Sequence, residues 1–338
     1  MGSSSSIRAV VVGVGATGAR VARQLASSPT VVDVVVRDPE VARVAAVVES
    51  MAPQVRSDGA DPTDLVDADV VVLAGPVGTH ASQAAAWVAA GIPVVSTTDD
   101  LGEVDELLAL DPVARSNGVG LAVGAGFAPG LSDVLAVHAA SRLDQVEEIH
   151  VARSGAGGPA CARHLLAALG AHALDWRDGQ WVRRPGGSGR ELVWFPDPIG
   201  ASDCYRAEMP DARLLVPAFS GVRRVTTRVA ARRSQLVTAR LPGLHRPPED
   251  GAPGAIRVEV RGVVGGSSAT VVMGAMDRPA VAAGAVAAVS ALALASGESR
   301  RSGAGGLAEL LDPLAVLTDL ARRGVRCAVF DPSGVGPG

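Results

Sequence analysis

The sequence predicts an α/β protein in which a doubly wound parallel sheet is joined to a second α+β domain with a mixed or antiparallel sheet. Up to about residue 141, short continuous apolar runs alternate with helical patterns, which is typical of parallel strands buried on both faces. Beyond that point apolar and polar residues alternate, and Gly265-Gly266 marks a hairpin turn, as in antiparallel strands. A chain of 338 residues is long enough for two such domains.

The first part of the chain begins with a strand, a glycine turn and a helix, and this unit then repeats. Its strands are expected at residues 7–12, 31–36, 69–74, 93–96 and 119–124. Its helices are expected at residues 19–27, 39–51, 80–90, 101–110 and 131–141. The repeat predicts βαβ units and therefore a nucleotide-binding type of domain over residues 1–135.

The second part, over residues 136–300, is expected to bind substrate and to mediate dimerisation. Strands are predicted at residues 146–153, 191–195, 222–231, 256–263 and 269–273. Helices are predicted at residues 161–169 and 280–296, the second of which closes this domain, and a glycine-rich linker follows at 297–306. The rest of the segment 301–338, a helix at 307–323 and a strand at 325–330, is expected to return to the first domain.

Composition excludes several classes of chemistry. All 31 basic residues are arginine, so Schiff-base lysines, the P-loop lysine and lysine general bases are ruled out. A net charge of −4 gives no reason to expect a nucleic-acid partner, and no segment has the pattern of a membrane span. Three widely spaced cysteines support neither disulfides nor a metal site, so a cytoplasmic protein without bound metal is expected.

A glycine-rich turn follows the first strand and opens the first helix. Gly13, Gly15 and Gly18 form a G-x-G-x-x-G pattern, with Ala16 and Thr17 between the last two glycines. The first glycine permits a tight turn, the second lets a pyrophosphate approach backbone N–H groups, and the third lets helix and strand pack closely. These five residues therefore predict a Rossmann-type site for NAD or NADP.

The end of the second strand indicates which of the two cofactors binds. NAD enzymes carry an acidic residue there for the ribose 2′-hydroxyl. If the strand ends at Val36, Arg37 is placed to pair with the 2′-phosphate of NADP; if it ends one residue later, Asp38 would serve NAD. The first reading is preferred, so NADP is the expected cofactor and NAD the alternative.

A second loop, Gly75-Pro76-Val77, follows the strand at 69–74 and leads into a helix. In a parallel sheet this loop lies at the carboxyl ends of the strands, where ligands bind, and it is expected to border the nicotinamide ribose. His80 at the start of the helix is a candidate acid or base, although a residue in this position also commonly stabilises the helix end.

The segment 124–133, with the pattern G-x-x-P-G-L-S-D, gives the sequence a family likeness. Together with the two loops above, it resembles the saccharopine dehydrogenase-like oxidoreductases, including saccharopine reductase, carboxynorspermidine dehydrogenase and lysine 6-dehydrogenase relatives. The resemblance implies that this segment forms a wall of the active site, although Ser132 or Asp133 could equally cap the helix that follows. The wall residues are Phe127, Pro129, Gly130, Ser132 and the candidate acid Asp133.

A second glycine-rich segment runs from Arg153 to Pro159. Arginine and exposed backbone N–H groups suit a substrate carboxylate, so Arg153, Ser154 and Gly157 are predicted to bind substrate. The resemblance implies that a segment here contacts an amino-acid substrate, but Arg153 departs from the family pattern. Tyr205, the only tyrosine, is a further candidate for proton transfer or a structural hydrogen bond.

These features predict an NAD(P)-dependent oxidoreductase that acts at a C–N bond of a carboxylate-bearing amine or imine substrate, by imine reduction or amine oxidation. The resemblance also implies a homodimer. One alternative is an NAD(P)-binding sensor or scaffold that has lost turnover. Another is a redox-neutral isomerase that keeps NAD tightly bound.

Overall fold

The computed structural model describes residues 6–239 and 252–330. In chain order the strands are β1 (Ile7–Val12), β2 (Val31–Arg37), β3 (Val55–Arg56), β4 (Val70–Leu73), β5 (Val94–Ser96), β6 (Gly120–Ala122), β7 (Gln145–Ser154), β8 (His172–Arg177), β9 (Gln180–Pro185), β10 (Glu191–Trp194), β11 (Ala201–Arg206), β12 (Arg224–Ala230), β13 (Gly254–Val264), β14 (Ser267–Asp277), β15 (Gly303–Gly305) and β16 (Arg326–Phe330). The helices are α1 (Gly18–Ala26), α2 (Val41–Glu49), α3 (His80–Ala89), α4 (Leu101–Leu108), α5 (Asp111–Ser116), α6 (Leu131–Ala140), α7 (Pro159–Gly170), α8 (Asp211–Leu215), α9 (Arg233–Thr238), α10 (Pro279–Ala295), α11 (Leu307–Leu310) and α12 (Pro313–Arg322). None of these described helices is both long enough and apolar enough to cross a membrane.

The first sheet is parallel and has seven strands in the order β15-β6-β5-β4-β1-β2-β3. Successive residues of β1 from Ala9 to Val12 are all buried, so both faces of this strand are covered. The strand order reverses between β1 and β4, and ligands of such sheets bind where the strands that flank this reversal end. The predicted doubly wound parallel sheet is confirmed.

The second sheet is mixed. Its main path is β10-β11-β12-β7-β13-β14-β16, with the hairpin β8–β9 joined to β12. Strands β7 and β12 pair in parallel, and the other pairs are antiparallel. Gly265 and Gly266 connect β13 to β14 with φ values of 57° and 80°, which is the conformation that a two-residue hairpin turn requires. The predicted second domain with a mixed sheet is therefore confirmed as well.

The chain divides into two compact units whose boundaries differ from those expected. One unit contains the described residues up to Gly126 together with Ala280–Val316, and the other contains Phe127–Pro279 and the described residues from Leu317 onward. Helix α6 thus belongs to the second unit, and α10 belongs to the first instead of closing the second. At the contact of α10 with α1, a Cβ on Gly284 would lie 2.6 Å from Cβ of Arg20, so the glycine permits close helix packing.

The C-terminal part also departs from expectation. The expected linker contains β15, which pairs with β6 at the edge of the parallel sheet. Its Gly-Ala-Gly sequence lacks the β-branched residues that signal a strand. Strand β16 pairs with β14 of the second sheet, so the expectation that it returns to the first domain was wrong. Strand β16 pairs with the edge of β14 that faces away from β13. Unpaired N–H and C=O groups along such an edge favour the addition of another strand.

Candidate functional site

The glycine turn between β1 and α1 is shaped by two close backbone contacts. A Cβ on Gly13 would lie 2.4 Å from the backbone nitrogen of Gly75, and one on Gly18 would lie 1.8 Å from the carbonyl oxygen of Gly13. Gly13 also has a φ of 88°. By contrast, nothing lies within 4 Å of a Cβ built on Gly15. The first and third glycines are therefore needed for the fold, whereas the second borders open space that a phosphate group can approach.

The residues between these glycines begin the helix. Thr17 precedes α1, and its carbonyl oxygen accepts hydrogen bonds from the backbone of Arg20 and Val21 at 2.9 and 3.0 Å. The carbonyl of Gly15 accepts from Ala19 at 3.1 Å, so Ala16 lies within the first turn. The amino end of α1 thus lies within one helical turn of Gly15, which adds a partial positive charge beside the open space.

Arg37 is the last residue of β2, and its side chain is paired with other residues of the protein. The guanidinium group is buried and forms two hydrogen bonds with the Asp58 carboxylate, at 2.6 and 3.1 Å. It also donates to the carbonyl oxygens of Asp61 and Asp64. This arrangement holds the pKa of the Asp58 carboxyl below its usual range, chiefly through the Arg37 hydrogen bond. The reason for preferring NADP, a strand that ends at Val36 and leaves Arg37 available, is therefore wrong.

Asp38 occupies the position that directly follows β2. Its carboxylate accepts hydrogen bonds from the backbone N–H of Val14, inside the glycine turn, and of Glu40, both at 2.9 Å. Arg43 contacts the same carboxylate at 3.2 Å. An acid that follows the second strand and contacts the glycine turn is placed as in NAD-binding proteins of this fold. The alternative that the sequence left open therefore agrees with the strand boundary in the structure.

The loop Gly75-Pro76-Val77 is anchored from its carboxyl end. The Glu103 carboxylate accepts hydrogen bonds from the backbone N–H groups of Gly78 and His80, both at 2.8 Å, and from the Thr98 hydroxyl at 2.7 Å. Sequence reasoning missed Glu103. The signal was the Asp100-x-x-Glu103 spacing of a helix amino terminus, in which the Asp100 side chain does accept from the backbone of residue 103 at 2.8 Å.

His80 is buried and both of its ring nitrogens are occupied. Nε2 lies 3.0 Å from the carbonyl oxygen of Gly75, which can only accept, so this nitrogen carries the proton. Nδ1 lies 2.8 Å from the Ser96 hydroxyl and accepts from it. Burial lowers the pKa of the imidazole and favours the neutral form. The geometry therefore gives His80 a positioning role for the Gly75 loop in place of the predicted acid or base role.

In the second unit, the segment from Phe127 to Asp133 leads into α6 through Gly130, whose φ is 113°. Ser132 and Asp133 are fully buried, and the Ser132 hydroxyl donates to the Asp211 carboxylate at 2.9 Å. Burial, and then the negative charge of Asp211, raise the pKa of the Asp133 carboxyl well above its usual value. The structure thus pairs a predicted site residue with Asp211, which no sequence pattern indicated.

Replacement of Asp133 by asparagine should change how stability depends on pH. Because the folded-state pKa is raised, this carboxyl stabilises the fold fully below the unfolded-state pKa of about 3.9, and that contribution is lost as pH rises toward the folded value. Over that interval wild type should lose about 1.4 kcal/mol of unfolding free energy per pH unit from this group. We therefore expect Asp133→Asn to become progressively more stable than wild type as pH rises.

The measurement is urea unfolding of wild type and variant at several pH values above about 4. Glu106→Gln, at an exposed carboxyl on α4, serves as the control and should track wild type. A difference between Asp133→Asn and wild type that does not vary with pH would contradict the prediction.

Arg153 was predicted to bind a substrate carboxylate, but the side chain is buried within the second unit. Its guanidinium donates to the carbonyl oxygen of Ala128 and lies 3.8 Å from the Cys161 sulfur. Arg153 therefore fastens the Phe127–Gly130 segment to β7, which is a positioning role. Ser154 and Gly157 lie just beyond it and are half-buried.

Tyr205 belongs to an apolar cluster of the second unit. It is buried together with Leu165, Leu169, Met209 and Val229, and it pairs with Val229 between strands β11 and β12. The ring therefore contributes to the core.

The predicted catalytic residues are divided between the two units: His80 belongs to the first, and Asp133 and Tyr205 belong to the second. Within residues 6–239 and 252–330, no group of three or more His, Cys, Asp or Glu side chains is arranged to hold a metal ion.

Comparison with solved structures identifies the fold. Apo saccharopine dehydrogenase (L-Glu forming) from Saccharomyces cerevisiae matches with a TM-score of 0.70 and 14% identity, over 96% of this chain and 100% of that one. Homospermidine synthase from Legionella pneumophila, in complex with NAD, matches with a TM-score of 0.67 and 12% identity, over 98% of this chain and 94% of that one.

A third match is amine dehydrogenase from Mycobacterium smegmatis, with a TM-score of 0.54 and 13% identity, over 91% of this chain and 97% of that one. No family model matches the chain. At these identities the likeness concerns the fold, and at that level the resemblance to saccharopine dehydrogenase-like proteins is confirmed.

Proposed function

We propose that the protein is an NAD-dependent oxidoreductase that acts at a C–N bond of an amine-related substrate. The observation that carries the proposal is the glycine turn, where the space beside Gly15 is open and the amino end of α1 follows. The same three features, a strand, an open glycine and a helix amino end, constitute a dinucleotide site in proteins of this fold. The residues present therefore fit a nicotinamide dinucleotide.

Each part of the cofactor has candidate residues in the first unit. Backbone N–H groups at Gly15 and Ala16 would hold the pyrophosphate, and the Asp38 carboxylate would accept from the adenosine ribose hydroxyls. The Gly75–Val77 loop, held by His80 and Glu103, would border the nicotinamide ribose. A bound nicotinamide supplies hydride transfer to or from a substrate carbon.

The choice of NAD over NADP follows from charge. The Asp38 carboxylate directly follows β2 and accepts from the glycine turn, so it would repel the 2′-phosphate of an NADP molecule bound in the manner usual for this fold. Arg37 is turned away and paired with Asp58, so it cannot offset that repulsion. Arg43 is exposed, but it already contacts the carboxylates of both Asp38 and Glu40.

The assignment to amine chemistry is supported by the family resemblance and by the fold shared with a saccharopine dehydrogenase, a homospermidine synthase and an amine dehydrogenase. A specific observation favours a second candidate, a nucleotide-binding sensor without turnover. His80 has both ring nitrogens occupied and Tyr205 lies in the core, so neither offers an evident acid or base. Turnover distinguishes the two functions.

The test is a titration of the purified protein with NADH and with NADPH, followed by nicotinamide fluorescence. We expect NADH to bind more tightly in wild type. Asp38→Asn should weaken NADH by about ten- to a hundredfold, because a hydrogen bond to a charged group contributes about 1.5–3 kcal/mol. The same substitution should weaken NADPH binding less, so that the difference in affinity between NADH and NADPH becomes smaller. Glu40→Gln, at an exposed neighbouring carboxylate, is the matched control.

Each outcome has a distinct meaning. Tighter binding of NADPH by wild type would remove the assignment to NAD and leave the oxidoreductase proposal in place. If both nucleotides bind but no oxidation or reduction occurs with a panel of amines, amino acids and keto acids, the sensor is favoured. If neither nucleotide binds, both functions are wrong.

A further inference from the structure

The second unit contains a cavity of about 160 Å³ beside the glycine-rich segment that follows β7. Three residues of that segment, Gly155, Ala156 and Gly158, form one side of it. The sequence predicts that this segment binds substrate, because it begins with Arg153. The remaining described lining residues come from α7, β12, α9 and the residue two positions before β13. They are Ala162, Leu165, Leu166, Leu169, Val229, Ala230, Gln235 and Ala252.

The chemistry of the lining is apolar. Among the lining residues that the structure describes, none has a charged side chain, and Gln235 has the one polar side chain. The carboxamide oxygen of Gln235 already accepts from the backbone N–H of Arg232 at 2.8 Å. A carboxylate placed here would meet no oppositely charged side chain among the described lining residues, so an ion pair would not compensate for the hydration it lost. The cavity therefore favours an uncharged aliphatic group over a charged one.

The nearest arginine along the segment, Arg153, is bonded elsewhere. Arg153 donates to the carbonyl of Ala128 and contacts the Cys161 sulfur, and it is not among the residues that line the cavity. The segment thus combines a buried arginine, which fixes the backbone, with an apolar recess formed by its small residues. The size is also informative, since an apolar cavity of roughly 150 Å³ holds a six-carbon ring such as benzene.

We propose that this cavity binds a compact, uncharged aliphatic group of about six carbons, and that this group belongs to the carbonyl or amine substrate. The second half of the statement rests on the proposed oxidoreductase function, whereas the binding itself does not. The sequence led us to expect that this segment binds a substrate carboxylate, whereas the cavity would bind an apolar part of the substrate.

The experiment compares two ligands that share a carbon skeleton, 4-methylpentan-2-one and 4-methyl-2-oxopentanoate, by calorimetric titration with and without NAD. We expect the ketone to bind at least tenfold more tightly than the keto acid. Ala162→Leu fills the cavity and should weaken the ketone by about tenfold or more, since pocket volume discriminates strongly among apolar groups. Ala167→Leu, at an exposed position on the same helix, should leave binding within about twofold of wild type.

Circular dichroism and thermal unfolding show whether each variant folds. If Ala162→Leu does not, Ala230→Val narrows the cavity from β12 with a residue that strands accept well. Tighter binding of the keto acid, or ketone affinity unchanged in the cavity-filling variant, would overturn the proposal. Ketone binding without any nucleotide binding would overturn the oxidoreductase function and leave the cavity assignment intact. Nucleotide binding together with turnover that favours the keto acid would overturn the cavity assignment and leave the oxidoreductase function intact.

Discussion

A Gly18→Ala variant is expected to lose about 3 kcal/mol or more of unfolding free energy, together with nucleotide binding. The reason is the position of the added methyl group, which would lie 1.8 Å from the carbonyl oxygen of Gly13 and 3.2 Å from Cβ of Ala74. The first contact is with backbone, so no side-chain rotation can relieve it. Either the turn or the first helix has to move, and both belong to the same compact unit.

Gly15→Ala is the matched control because the two glycines lie in one motif. Nothing lies within 4 Å of a Cβ at this position and its φ is unstrained, so we expect stability within about 1 kcal/mol of wild type. Nucleotide affinity should nevertheless fall, since the methyl group would occupy the space that a pyrophosphate approaches. Urea unfolding and nucleotide titration of both variants separate the two effects. Equal stability of the two variants would contradict the structural role assigned to Gly18.

An Arg37→Ala variant is expected to lose about 1.5–3 kcal/mol of unfolding free energy, because the buried guanidinium makes charged hydrogen bonds to the Asp58 carboxylate, which itself is partly solvated. The arginine side chain is 0% exposed, whereas that of Asp58 is 20% exposed, so solvent access places the loss toward the lower figure. The carbonyl groups of Asp61 and Asp64 would also lose a charged donor. The segment 58–64 should therefore become locally less ordered, in addition to the loss of unfolding free energy of the whole protein.

Arg56→Ala supplies the comparison, since Arg56 forms an equally well aligned pair with Asp33 at the surface. With 52% of the arginine side chain exposed, that pair should contribute less than about 1 kcal/mol. Chemical unfolding of both variants gives the two values. If Arg37→Ala kept its stability and weakened NADPH far more than NADH, Arg37 would after all recognise a 2′-phosphate, and the pairing with Asp58 would not describe the functional state.

The sequence predicted the parts of the fold that depend on neighbouring residues. Continuous apolar runs marked the strands of the parallel sheet, and β1 begins and ends where the pattern placed it. The pair Gly265-Gly266 identified a hairpin because its positive φ values are a local property of glycine. The dinucleotide motif could be found from the spacing of its three glycines, although the close approach that requires Gly13 comes from the distant residue Gly75.

The roles of polar side chains were not accessible in this way. Arg37 was assigned to a phosphate because it stands at the end of the second strand, and Arg153 to a carboxylate because it begins a glycine-rich segment. In the structure their partners are Asp58 and Ala128, which lie 21 and 25 residues away along the chain. Glu103, which anchors the loop that contains Gly78, lies 25 residues beyond that glycine.

The division between the two kinds of information has a physical cause. Backbone conformation and apolar periodicity are properties of a few consecutive residues, so fold class, turns and the glycine motif are written in the local sequence. Whether a charged group faces a ligand or a buried partner depends on which distant segments folding brings beside it. Only the tertiary structure therefore decided that Arg37 stabilises the first unit, that Asp38 lies against the glycine turn, and that the glycine-rich segment after Arg153 borders an apolar cavity.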